Sequence, residues 1–156
     1  MAKTEFEIVP GRQEVSLTRV FDAPRELVFA AFEDPKLFAR WWGPRRLTND
    51  IEKMEARPGG SWRVVQRDGD GHEFAFHGVY HDVVSPERMV QTFEFEGAPG
   101  HVLLQTATFE DLDGKTRLTM KSIYESVEDR DAMVQTGMES GALESMERLA
   151  ELFARS

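Results

Sequence analysis

The chain has 156 residues, of which 40% are hydrophobic and 30% are charged, a balance typical of one soluble globular domain. Its formal net charge is −9, and because nucleic acids and anionic membrane surfaces repel an acidic protein, we expect neither as a partner. It contains no cysteine, which excludes disulfides, thiolate nucleophiles and zinc sites built from cysteine.

The first predicted elements are a strand and two short helices. Residues 12–21 alternate apolar and polar side chains, which indicates a strand with one buried face. Residues 23–32 carry apolar side chains at helical spacing, and Pro35 begins a second short helix that ends before Gly43. Residues 1–11 are assigned to an N-terminal extension.

Most of the chain that follows is predicted to form antiparallel strands. The candidate segments alternate apolar and polar residues and are separated by turns rich in Gly, Asp and Pro, a pattern typical of a sheet that is wetted on one face. They are residues 47–55, 62–67, 72–84, 88–96, 102–111 and 115–125. Of these, residues 47–55 show the weakest alternation.

A long helix is predicted over residues 137–154. Its apolar side chains recur at helical spacing along one face, at Met138, Ala142, Met146, Leu149 and Phe153. Thr136 and Glu139 fit a capping box at its start, and residues 128–135 predict a short helix before it. A sheet with one apolar face must be covered, and the long helix is the only predicted element large enough to cover it.

Five motifs spread over residues 12–154 carry a family resemblance. They are Phe21-Asp22-Ala23-Pro24-Arg25-Glu26-Leu27-Val28-Phe29, Asp34-Pro35, Trp41-Trp42-Gly43-Pro44, Arg57-Pro58-Gly59-Gly60-Ser61-Trp62-Arg63, and Gly137-Met138 with Gly141 and Leu149. Together they resemble the activator-of-Hsp90-ATPase-like (AHSA-type) family of the START-like, or SRPBCC, superfamily. Two positions depart from the usual family pattern, because Phe32 and Ala142 stand where Trp is common.

The resemblance implies an α+β helix-grip fold, formed by a single domain over residues 1–156. In that fold a curved antiparallel sheet of about seven strands wraps around the long C-terminal helix, and two short helices follow the first strand. Members of the superfamily hold hydrophobic molecules between the sheet and the helix. The resemblance therefore implies a cavity in the same place in this chain.

We expect nine residues to contact a ligand in that cavity, most of them on the aromatic strand faces and on the long helix. They are Trp41, Trp62, Phe76, Tyr80, Phe93, Met120, Met138, Gly141 and Ala142. Packing in a solid core is the alternative that the sequence leaves open for these large side chains. Gln91, Gln105 and Ser122 are predicted on the same inward faces, where a buried polar group needs a hydrogen-bond partner.

The function expected from this arrangement is the binding of a small hydrophobic or aromatic ligand, with no assigned catalysis and no identified catalytic residue. One alternative is a cyclase- or hydrolase-type enzyme acting on an apolar substrate, which requires a polar pair, such as His77 with Tyr80 or a nearby carboxylate, to meet inside the cavity. The other, implied by the family name alone, is a co-chaperone that activates the Hsp90 ATPase. We do not expect Hsp90 as a working partner, because the chain has room for only one domain.

Metals, cofactors and membranes are not expected. His77 and His81 are four residues apart on a predicted strand, about 13 Å, which is too far to share one ion. The N-terminal residues lack the apolar core of a signal peptide and no run of 18 apolar residues occurs, so we expect a cytoplasmic protein. A homodimer is left open, since an exposed Trp or an unpaired edge strand would support one.

Overall fold

The computed structural model of the protein describes residues 3–154. Eight strands and four helices follow each other along the chain. The strands are β1 (Glu5–Ile8), β2 (Glu14–Phe21), β3 (Thr48–Met54), β4 (Ser61–Arg67), β5 (Glu73–Val84), β6 (Arg88–Phe95), β7 (Val102–Leu112) and β8 (Lys115–Ile123). The helices are α1 (Arg25–Glu33), α2 (Pro35–Trp41), α3 (Val127–Gln135) and α4 (Met138–Ala154).

All eight strands belong to one antiparallel sheet in the order β1-β2-β8-β7-β6-β5-β4-β3. The alternation predicted from the sequence is seen clearly in β2, where every second side chain from Val15 to Phe21 is buried. Helix α4 buries Ser145, Met146 and Leu149. The α+β fold with a long C-terminal helix is confirmed.

The sheet has one strand more than the seven predicted. Strand β1 lies within the segment assigned to the N-terminal extension and pairs with β2, with Phe6 opposite Leu17. It is only four residues long, and so few residues do not show whether the apolar side chains alternate as in a strand or recur as in a helix. The side chains of Phe6 and Ile8 pack against buried apolar residues.

The prediction of a capping box at the start of α4 is wrong. The hydroxyl of Thr136 donates to the carbonyl oxygen of Met133 at 2.6 Å and so belongs to the end of α3. Gly137 follows with a φ of 86°, a left-handed conformation that glycine adopts without strain. One glycine therefore turns the chain directly from α3 into α4.

Helix α4 is tied to the end of α2. The guanidinium of Arg148 donates to the carbonyl oxygens of Arg40 and Gly43, each at 2.8 Å. A cation at this end of α2 also complements the helix dipole. The Gly43 N–H donates to the Ser145 hydroxyl at 2.7 Å. These contacts fix the residues that follow α2 against the helix that covers the sheet.

Among residues 3–154, no helix is both long enough and apolar enough to cross a lipid bilayer.

Candidate functional site

Two small chambers lie between the inner face of the sheet and the helices. The inner chamber has a volume of about 120 Å³ and includes Phe6, Ala142 and Met146 in its lining. The side chamber has a volume of about 30 Å³ and includes Phe32, Phe38 and Met89 in its lining. Four residues line both chambers, which therefore adjoin: Trp41, Trp42, Gln105 and Met120.

Eight of the nine residues predicted to contact a ligand line a chamber or the cleft beside it. Those on the side chamber are Trp41, Trp62, Phe93 and Met120. Those on the inner chamber are Trp41, Met120, Met138 and Ala142. Those on an open cleft of about 290 Å³ at the start of α4 are Phe76, Met138 and Gly141.

Tyr80 is the ninth predicted residue, and it lines neither chamber nor the open cleft. Its side chain is 2% exposed and packs in the hydrophobic core. Burial raises the pKa of its hydroxyl, because the charged phenolate is disfavoured away from water. Tyr80 therefore packs in the solid core, which is the alternative that the sequence left open for the large side chains.

Trp42 is the main lining residue that the sequence did not select. Its ring lies within an aromatic cluster formed with Phe38, Trp62, Phe76 and Phe93. Its backbone carbonyl accepts a hydrogen bond from the Asn49 amide at 2.7 Å. Since Trp42 lines both chambers, its ring limits the space that they share.

Trp62 is held in place by its contact with two neighbouring strands. Its indole N–H donates to the carbonyl oxygen of Thr92 at 3.2 Å. The ring lies close to Gly78, where an added Cβ would come within 2.6 Å of the indole nitrogen and 1.9 Å of the Thr92 oxygen. The glycine in β5 therefore makes room for this wall of the side chamber.

His77 pairs with carboxylates on the outer face of the sheet and not with Tyr80. His77 contacts Glu96 at 2.9 Å and Glu94 at 3.3 Å, and its side chain is 44% exposed. Tyr80 is three residues further along β5, so it lies on the opposite, inner face. The example of a catalytic pair formed by His77 and Tyr80 inside the cavity is therefore not seen.

A separate apolar pocket of about 300 Å³ lies between α3 and the hairpin that joins β6 to β7. Leu103, Tyr124 and Met133 form part of its wall. Its lining also contains His101 and Asp129, which contact each other at 3.0 Å. The sequence did not predict this pocket, because His101 and Asp129 are 28 residues apart along the chain and only the fold brings them together.

Tyr124 stands between this pocket and the inner chamber. Its hydroxyl contacts the Met138 sulfur at 3.5 Å, and Met138 lines the inner chamber. Burial raises the pKa of Tyr124 to about 12, so the hydroxyl stays neutral.

The turn between β4 and β5 brings three potential metal ligands together, namely Asp68, Asp70 and His72. The Asp68 carboxylate already accepts hydrogen bonds from the backbone N–H groups of Asp70 and His72, each at 2.9 Å. It also contacts the His72 ring at 2.9 Å. These contacts close the turn in the way that Asp residues commonly do.

Comparison with known proteins identifies a family and several similar structures. The family model described as Activator of Hsp90 ATPase homolog 1-like protein matches residues 22–154. A solved structure from Arthrobacter aurescens is 27% identical, with a TM-score of 0.91 over 97% of this chain and 92% of that one. Another, from Chromobacterium violaceum, is 28% identical, with a TM-score of 0.81 over 90% of this chain and 96% of that one.

A third similar structure, from Rhodobacter sphaeroides, is 24% identical and has a TM-score of 0.90 over 99% of both chains. At this identity it shows the shared fold alone. No curated protein matches the chain.

Proposed function

Because the chain belongs to the Activator of Hsp90 ATPase homolog 1-like family, we propose that it binds a small apolar or aromatic molecule in the inner chamber. The resemblance found in the sequence is thereby confirmed, and the START-like architecture with it. This fold is generally a ligand-binding fold. The proposal assigns that general property to a defined space beneath α4.

The observation that carries the proposal is a mostly apolar, partly open space between α4 and the sheet. Protein cores contain few voids larger than a water molecule. The inner chamber measures about 120 Å³, and an apolar cavity of about 150 Å³ is sufficient to hold benzene. The inner chamber is somewhat smaller than that, and the adjoining side chamber adds about 30 Å³, so the space is close to the size of one aromatic ring.

The walls suit a ligand of this kind. Met120, Met138 and Met146 all line the inner chamber, and flexible, polarizable thioethers adapt to the shape of a bound ring. Trp41 and Trp42 supply aromatic surface on the same chamber. Ala142 leaves space on α4 where the family commonly has a large ring.

Binding without catalysis is favoured by the chemistry of the lining. Within the described residues, no Asp, Glu, His, Lys or Arg side chain lines either chamber. General acid or base catalysis needs a titratable group within hydrogen-bond reach of the reacting atoms. The polar groups present are instead amides and hydroxyls, which orient a ligand.

The proposal is tested by titrating the protein with toluene and following amide chemical shifts by NMR. We expect shifts centred on Met120, Ala142 and Met146. Ala142→Leu should weaken binding at least tenfold, because the added side chain occupies the inner chamber. The matched control is Ala132→Leu, which enlarges a side chain in the separate pocket under α3 and should leave binding unchanged. Equal toluene affinity for the protein and Ala142→Leu contradicts the proposal.

A further inference from the structure

Four polar side chains form one row across the inner face of the sheet. The direct neighbours in adjacent strands are Tyr80 with Gln91, Gln91 with Gln105, and Gln105 with Ser122. Gln91 lines the side chamber, Ser122 lines the inner chamber, and Gln105 lines both. The row therefore brings hydrogen-bonding groups to the place where the two chambers adjoin.

The row is short of hydrogen-bond partners. Gln105 donates from Nε2 to the Ser122 hydroxyl at a long 3.4 Å. Within residues 3–154, the side-chain amide of Gln91 makes no hydrogen bond to another residue. A primary amide offers two donors and an acceptor oxygen, and the unpaired amide atoms of Gln91 and Gln105 are not fully buried, so they face space that a water molecule or a ligand can enter. Both amides thus keep donors and acceptors for a molecule that enters the chambers.

Within the described part of the chain, neither chamber offers a charged side chain that would balance the charge of an ionic ligand. The described lining residues are all uncharged, and moving an unpaired ion from water into such a space is strongly unfavourable. The fourth member of the row, Tyr80, stays neutral because burial raises its pKa. The row is therefore matched to an uncharged polar group.

The sizes of the two chambers also fit a ligand made of an apolar ring and a small polar group. The inner chamber, at about 120 Å³, accommodates a single ring, whereas the side chamber, at about 30 Å³, has room for a hydroxyl group or one water molecule. Gln105 is the residue of the row that reaches both spaces. A polar substituent on a ring in the inner chamber would meet it first.

We propose that the site selects neutral, single-ring aromatic molecules that carry one uncharged hydrogen-bonding group, and that Gln105 and Gln91 are the residues that recognise this group. This inference rests on the proposed binding function and names the ligand class for it. Gln105 acts as the direct partner of the substituent. Gln91 pairs with the same group or with a water molecule in the side chamber.

The test compares p-cresol with toluene, which has nearly the same shape but lacks the hydroxyl group, by NMR titration. The protein should bind p-cresol about tenfold more tightly than toluene, the factor expected for one added hydrogen bond. Benzylammonium and p-toluate, which carry a charge, should not bind in the chambers. Gln105→Leu and Gln91→Leu should each reduce the preference for p-cresol while preserving toluene binding. The control is Gln135→Leu at an exposed position on α3, which should keep the full preference.

The outcomes separate the two proposals. Equal binding of p-cresol and toluene by the unaltered protein overturns the selection of a polar group and leaves the binding function intact. A preference for p-cresol that survives in both glutamine variants overturns the assignment to Gln105 and Gln91. If neither compound binds in the chambers, the proposed function fails and this inference fails with it. The comparison within the unaltered protein does not depend on the folding of any variant.

Discussion

The indole of Trp42 meets the ring of Phe76 edge-on, with the ring centroids 5.2 Å apart and the ring planes at 89°. Trp42 also stacks on Phe38, where the centroids are 5.4 Å apart. It follows α2 directly and lines both chambers. A single half-buried side chain between a helix and the sheet therefore limits the combined size of the two chambers.

Replacing Trp42 by alanine should join the two chambers. We expect Trp42→Ala to bind naphthalene, a two-ring compound, at least tenfold more tightly than the unaltered protein, as measured by NMR titration. The lost packing should lower the free energy of unfolding by about 2–4 kcal/mol in urea denaturation, at the low end for a large aromatic because the ring is partly exposed. Trp42→Phe is the control and should change both quantities less. Unchanged naphthalene affinity in Trp42→Ala would show that Trp42 does not limit the space.

The ion pair between the buried Arg19 of β2 and the exposed Glu147 of α4 should stabilise the fold. The Arg19 guanidinium donates to Glu147 at 2.7 Å, and the two side chains are 8% and 60% exposed. Glu147→Gln should lower the free energy of unfolding by about 1–2 kcal/mol, because it removes the anion from a buried cation while water still reaches the glutamine.

Glu151→Gln provides the matched control for this pair. Glu151 lies on the exposed surface of the same helix and pairs with Arg45, and such surface pairs contribute little because water screens both charges. Urea denaturation of both variants measures the difference. Equal losses in the two variants would mean that burial of Arg19 adds nothing to the strength of its pair.

The glycine beneath Trp62 should be intolerant of substitution. A Cβ at Gly78 would come within 1.9 Å of the Thr92 carbonyl oxygen, so either the strand or the indole must shift. Gly78→Ala should therefore lower the free energy of unfolding by about 2–3 kcal/mol, the cost of overpacking a rigid site. Gly69→Ala, in a turn where nothing lies within 4 Å of an added Cβ, should be nearly neutral in the same urea denaturation. A neutral Gly78→Ala would contradict the packing described for this wall.

The contact between the β6–β7 hairpin and α3 should depend on pH. The hydrogen bond that the His101 ring donates to the Asp129 carboxylate holds the pKa of His101 above its ordinary value, with smaller contributions from the charges of Glu125 and Glu94. A folded-state pKa above the unfolded value means that the pair stabilises the fold fully at pH values below about 6.5. That contribution is lost as the pH rises through the folded-state pKa of His101.

NMR titration of the His101 ring measures this effect. Asp129→Asn should return the pKa of His101 towards its ordinary value, whereas Asp111→Asn, at the far end of β7, should leave it raised. An unchanged pKa in Asp129→Asn would remove Asp129 as the cause.

Local periodicity predicted most of the fold because its signals lie within single elements. The alternation in β2 and the apolar face of α4 each reflect burial of one side of one element. The short β1 carried too few residues for the same argument. Thr136 was assigned to the wrong helix because α3 and α4 are separated by so few residues that one hydroxyl is in reach of either.

The candidate site was less predictable because it depends on distances between elements. The sequence predicted that Trp62, Phe93 and Met120 lie on inward faces, and they line the side chamber. It predicted the same face for Tyr80 and did not show that this residue packs in the core instead of lining a chamber. The role of Trp42 depends on how α2 docks against α4. Only the strand register shows that Gln91 and Gln105 are direct neighbours.

A crystal structure of the protein soaked with 4-bromophenol, with bromine located by its anomalous scattering, tests whether the inner chamber holds a neutral single-ring molecule whose polar group meets Gln105. We expect a bromine peak inside the inner chamber, among Met120, Ala142 and Met146, with the phenol oxygen within hydrogen-bond distance of the Gln105 amide. A bromine peak only in the pocket under α3, or empty chambers at saturating ligand, would show that the inner chamber is not the binding site.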